Sequence, residues 1–70
     1  MPRTVSGLLT EPERYVAARV AHGARNAEIA KGLGLSVKTV EKHLSSIYRK
    51  LAISSRVELA VLWSGEVRTP

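Results

Sequence analysis

Five apolar residues, Val37, Val40, Leu44, Ile47 and Leu51, follow one another at steps of three, four, three and four along the chain. That spacing returns to one side of an α-helix at every turn and to both sides of a strand, so residues 37–51 are expected to form a helix with one buried seam. Ser36, directly before it, is a residue type that caps helix N-termini by accepting a hydrogen bond from an orphan N–H. Once the seam is fixed, the other faces are fixed with it. Lys38, Glu41, Lys42, Ser45 and Arg49 fall opposite the seam, with Thr39, His43, Ser46 and Lys50 along one flank. A polar, mostly basic outer surface on a helix of fixed orientation is the first functional candidate.

The rest of the chain reads as three more helices and no strand. Thr10 and Glu13 have the spacing of a capping box, and Pro12 falls in the first turn, where its missing N–H costs little. Leu9 can staple onto the helix that follows, whose stripe continues through Val16 and Val20, with Tyr15 a further candidate, to a stop at Gly23. The second segment has Asn26 as its expected N-cap and Ile29, Ala30 and Leu33 on one face. Gly34 supplies the permissive backbone for a sharp exit, and Leu35 is expected to plug the corner beneath it. In the last segment Ser55 and Glu58 repeat the capping-box spacing. Val57, Leu59, Ala60, Val61, Leu62 and Trp63 then make it apolar nearly all round, more than a three-helix body can cover, so part of that surface needs another partner. The expected fold is all-α, with helices at about 10–22, 26–33, 37–51 and 55–64. Residues 9–64 form one domain between flexible segments 1–8 and 65–70.

Composition limits what such a body does. Seventy residues support one thin core, which leaves no room for a deep substrate cleft. Eleven Lys and Arg against six Asp and Glu give a net charge of +5, which favours a polyanionic partner. A hydrophobic content of 44% without low-complexity runs argues for a globular chain rather than a disordered one. No cysteine is present, so neither a disulfide framework nor a thiolate metal site is expected, in keeping with a reducing compartment. No apolar run approaches the roughly 18 residues of a membrane span, and the N-terminus lacks the apolar core of a signal peptide. The expected location is the cytoplasm, with no membrane partner.

Two helices joined by a glycine-containing turn, the second with a basic outer face, have the form of a helix-turn-helix. The major groove of B-DNA admits one helix, whose first turns reach base edges while the preceding helix crosses the backbone. Lys38, Thr39, Lys42 and Ser45 can donate to phosphates or base acceptors, and Glu41 can accept from a cytosine amino group. Two other classes explain less. For an enzyme the chain offers only His22 and His43, with no phosphate-binding glycine loop before a lysine and no metal-ligand spacing, so no catalytic residue, metal or cofactor is expected. A helical bundle that binds an acidic protein would account for the basic face and the apolar last helix, but not for the motifs across helices two and three.

Those motifs resemble a family. Leu9 and Thr10 with Glu13, Gly23 with Asn26, Glu28-Ile29-Ala30, Leu33 with Leu35 and Ser36, Thr39-Val40, His43, Lys50-Leu51 and Ser55-Arg56 are similar to the running pattern of the LuxR/FixJ-type (GerE-like) DNA-binding domain. This domain is the output module of many bacterial response regulators and quorum-sensing receptors. The resemblance spans Leu9 to Leu62. It implies four helices, the third in the major groove and the fourth a dimer interface on an operator with two half-sites. By that carry-over Asn26, Thr39 and Lys50 touch the DNA backbone, while Lys38, Glu41, Lys42 and Ser45 lie nearest the bases. Arg49 shares their outer face and joins the DNA-binding set. Val57, Val61 and Ser64 meet the second subunit, Glu13, Glu28 and Arg56 orient helices, and RNA polymerase is a candidate partner.

Three positions depart from the pattern. Arg25 stands where the family has a Ser or Thr that caps helix two, so the cap must shift to Asn26 or be lost, at a cost of about 1 kcal/mol. Arg25 could instead contact a phosphate near that helix N-terminus. Arg19 takes a commonly aliphatic place in helix one, and Glu41 a place that is often Lys. The chain is expected to be either a stand-alone regulator or, the favoured reading, a domain excised from a longer one.

Overall fold

Thr10 opens the first helix as its spacing implies. Its hydroxyl accepts from the Glu13 N–H at 3.3 Å while the Glu13 carboxylate accepts from the Thr10 N–H at 2.8 Å. The structure, a computed structural model, describes residues 5–67 of the chain and the side chains of residues 5–65. The helices are α1 (Glu11–Ala21), α2 (Asn26–Leu33), α3 (Val37–Leu51) and α4 (Arg56–Val67), preceded by a 3-10 turn at Ser6–Leu8. No strand occurs among the described residues. The domain is all-α.

The core lies where α1 meets the other helices. Val16, Ala17 and Val20 of α1 pack with Ile29 and Ala30 of α2, Val40, Leu44 and Ile47 of α3, and Leu59 and Trp63 of α4. Leu9 is buried beneath the start of α1, as expected of a staple. α1 packs on α2, α3 and α4, and α2 packs on α3. The turn between α2 and α3 passes through Gly34 at φ +69°, a left-handed conformation that side chains with a Cβ resist. Ser36 then caps α3 by accepting from the Thr39 N–H at 3.1 Å.

Several expectations are corrected. Asn26 is not the cap of α2. It is the first helical residue, and the preceding Arg25 holds the extended N-cap conformation with its N–H donating to Glu28 Oε1 at 2.7 Å. Half of the capping box therefore survives without a Ser or Thr, because Glu28 needs only a backbone donor. Leu35 is 38% exposed and does not plug the corner beneath Gly34, and Val37, at the first position of α3, is 40% exposed. The α3 seam is buried only from Val40 to Ile47, since its first residue overhangs the end of the core. Tyr15 leaves the core as well. Its hydroxyl lies so close over Gly32 that a Cβ there would overlap it. Arg14 Nη1 ties the 3-10 turn Ser6–Leu8 to α1 by donating to Ser6 O (3.3 Å) and Leu9 O (2.8 Å). α4 runs past 64 to Val67, because an isolated Gly65 costs about 1 kcal/mol without stopping a helix. The remainder of the segments expected to be flexible, 1–4 and 68–70, lies outside the described residues.

The seam makes a graded prediction. Ile47 is fully buried, so Ile47→Ala should remove about 2–4 kcal/mol of stability, whereas Val37→Ala should cost under about 1 kcal/mol. Urea denaturation followed by circular dichroism measures both, and equal losses would place Val37 in the core after all.

Candidate nucleic-acid interface

With Val40, Leu44 and Ile47 turned into the core, the opposite face of α3 is fixed by helical geometry. Lys38, Glu41, Lys42, Ser45 and Arg49 are all exposed there and line one shallow depression. The ion pairs among the described residues are Arg14–Glu11 at 3.3 Å and Lys50–Glu13 at 2.7 Å. Lys38, Lys42 and Arg49 enter neither, so three cations on this face keep their donors for an external partner. The expected surface set is thus brought together by one helix.

Three other expected contacts sit differently. Thr39 is half-buried beside Lys38, its hydroxyl 3.0 Å from that of Ser36, so it belongs to the cap of α3. Lys50 lies on the flank of α3 and reaches α1. Glu13, 4% exposed, accepts from Lys50 Nζ at 2.7 Å, from Ser46 Oγ at 2.9 Å and from its own cap N–H. Burial raises the Glu13 pKa. The hydrogen bonds from Lys50, Thr10 and Ser46 and the lysine charge outweigh it, holding the carboxyl at about 2. Asn26, at the start of α2, accepts from Arg56 Nη1 at 2.7 Å through Oδ1, while Arg56 Nη2 donates to Ala24 O at 2.6 Å. Arg56 thereby pins α4 to the start of α2.

Ser46 had no assigned role in the sequence reading. Its position on the flank with Lys50, one helical turn apart, was the available signal, but its partner lies 33 residues away and no local pattern names it. The second exposed surface is on α4. Leu59 and Trp63 face α1, whereas Val57 and Val61 are 72% and 65% exposed and form, with Ile53 and Leu62, an apolar hollow edged by Glu58. Ser64 is half-buried beside it. Glu58 is drawn back toward the helix start, accepting from Ser54 N–H at 2.9 Å and Ser54 Oγ at 3.1 Å, and these bonds lower its pKa. Glu58 reaches Ser54 rather than the Ser55 N–H a strict capping box would use, while Ser55 Oγ accepts from the Glu58 N–H at 3.1 Å.

This arrangement of a cap, a left-handed glycine turn and a capped helix with a basic outer face coincides with a family match. The profile described as bacterial regulatory proteins, luxR family, covers residues 7–63. The chain belongs to this family. Among its relatives, the transcriptional regulatory protein UhpA of Escherichia coli is 50% identical over 52 residues, 74% of this chain and 26% of that protein. The CsgBAC operon transcriptional regulatory protein of the same species is 38% identical over 63 residues, 90% of this chain and 29% of that protein. The putative HTH-type transcriptional regulator Rv0890c of Mycobacterium tuberculosis is 47% identical over 53 residues, 76% of this chain and 6% of that protein. The chain spans under a third of the length of each. No solved structure matches significantly. A luxR-family domain is a DNA-binding domain of transcription regulators, not an enzyme, and DNA is its partner. Among the described residues no helix is long and apolar enough to cross a membrane.

The Glu13 site gives a pH-dependent prediction. A carboxyl whose pKa falls from 4.5 to about 2 on folding stabilises the native state fully above about pH 5 and loses that contribution as pH falls toward 2. The shift corresponds to a few kcal/mol at neutral pH. Glu13→Gln, which keeps the shape and removes the charge, should therefore be less stable by about 1–3 kcal/mol at pH 7 and nearly equal to wild type at pH 2. Thermal denaturation across that range measures the difference. A constant gap would mean the carboxylate is not the titrating contribution.

Proposed function

We propose that residues 9–64 bind double-stranded DNA sequence-specifically as the output module of a bacterial transcription regulator, with α3 in the major groove. The observation that carries this reading is the outer face of α3, where Lys38, Lys42 and Arg49 stand exposed without acidic partners around Glu41 and Ser45. Arginine and lysine donors at that density neutralise phosphates and reach base acceptors. Thr39 and Asn26 flank the face at two helix N-termini, where N–H groups favour a phosphate. Asn26 gives its Oδ1 to Arg56, which leaves its amide N–H groups outward for the backbone. Lys50 spends one of three ammonium donors on Glu13 and keeps two for phosphate.

The same reading gives α4 a role. Val57, Val61 and Ser64 form a self-association surface too small for a stable dimer in solution, so the domain is a monomer that pairs on an operator with two half-sites. UhpA and the CsgBAC operon protein are transcriptional regulatory proteins by name, which supports an output role in a longer regulator. Such a module works on the chromosome, which places it in the bacterial cytoplasm, with RNA polymerase within reach of the surfaces left exposed.

Lys42→Ala tests the groove face. Its side chain has no internal partner, so the fold should persist while operator affinity falls by about 1–3 kcal/mol if Lys42 meets a base, or the salt slope shrinks by about one if it meets a phosphate. Titrations of operator and random duplex at several salt concentrations separate these, and no change in either would remove Lys42 from the interface. Val61→Glu tests α4 by setting like charges across the two-fold axis. Gel shifts should show cooperativity lost on a two-half-site duplex and affinity kept on one half-site. Equal loss on both probes would remove Val61 from the proposed contact between copies.

A further inference from the structure

α3 carries one acidic side chain, Glu41, and it lies within the depression lined by Lys38, Lys42, Ser45 and Arg49. Glu41 is exposed and takes part in neither of the ion pairs among the described residues, so its charge is neutralised by none of the neighbouring cations at close range. A bare carboxylate brought against the phosphates of a duplex is repelled, and its charge opposes the non-specific attraction the three cations create. The repulsion is offset only where the carboxylate meets a donor. On the floor of the major groove guanine and thymine present acceptors, adenine presents an amino donor next to the acceptor N7, and cytosine presents its N4 amino group alone. Lys38 lies one helical turn before Glu41 and Ser45 one turn after it, on the same face. A donor on that side can reach O6 or N7 of the guanine paired with, or next to, such a cytosine.

Resting on the proposed placement of α3 in the major groove, we infer that Glu41 is the base-discriminating residue of this face. It selects cytosine through N4, rejects guanine and thymine at the same position, and lowers the affinity for unrelated duplex, so that the cations give attachment and the carboxylate gives choice.

The test compares the 70-residue chain with Glu41→Gln and Glu41→Lys. Each is used to select sites from a random duplex pool and titrated against random duplex at several salt concentrations, with circular dichroism to verify folding. Wild type should enrich a cytosine in each half-site, and replacing that pair by T·A should weaken binding about 5- to 150-fold. Glu41→Gln should shift the position to adenine, whose N6 and N7 a carboxamide meets together. Glu41→Lys should shift it to guanine, bind random duplex more tightly and steepen the salt slope by about one. The same consensus from all three folded proteins, or equal affinities for random duplex, overturns the inference while leaving DNA binding intact. Failure of wild type to bind or enrich any duplex overturns the placement of α3 as well, and is recognised by that loss.

Discussion

Glu13 sets a charge at the junction of α1 and α3, nearly out of reach of water, where burial alone would raise the pKa of its carboxyl. It stays ionised because its acceptor sites are occupied by the cap N–H of its own helix, the Ser46 hydroxyl and the Lys50 ammonium. One side chain thus caps the start of α1, fixes the rotation of α3 about its axis and holds a lysine beside the proposed DNA-facing surface. Rotation is the property that matters for a helix read by a groove. A turn of α3 by one residue, about 100°, would swing the Val40, Leu44 and Ile47 seam out of the core and carry Glu41 and Ser45 into its place. The apolar seam resists such a rotation by area, and Glu13 resists it by direction.

Most of the architecture was legible because it rests on local rules. The steps of three and four in α3, the Thr10 and Ser36 caps and the glycine turn each depend on residues within one or two helical turns. What could not be read were relations between distant segments. Nothing local tells that Arg56 takes the side-chain oxygen of Asn26, 30 residues earlier. Leu35 and Val37 belong to the right residue class for a core, but they lie at the corner where α2 ends and α3 begins, and a corner has no second layer to cover them. The outer face of α3 was legible as soon as its inner face was, whereas the engagement of Lys50 with Glu13, 37 residues earlier, required the third dimension.

The two exposed surfaces differ in kind. On α3 the surface is polar and carries unpaired charge, which suits a hydrated polyanion and loses strength with salt. On α4 the hollow around Val57 and Val61 is apolar, with its one acid drawn back onto Ser54, and suits a dry contact that is insensitive to salt. Ionic strength therefore weighs on one surface and spares the other, so in the proposed complex the balance between attachment to DNA and contact between copies is a function of the medium.

α3 and α4 have little packing between them, and each rests on α1. In a pair of domains joined through α4, the distance between the two copies of α3 is then measured along α1 and its core contacts, not across a shared α3–α4 interface. In the proposed complex α1 meets neither DNA nor the second copy, yet it would be the ruler that matches the pair to the helical repeat of DNA. A change in side-chain volume at Val16, Ala17 or Val20 would act as a change in that ruler's length, felt on DNA as a change in phase between two grooves rather than as the loss of any contact.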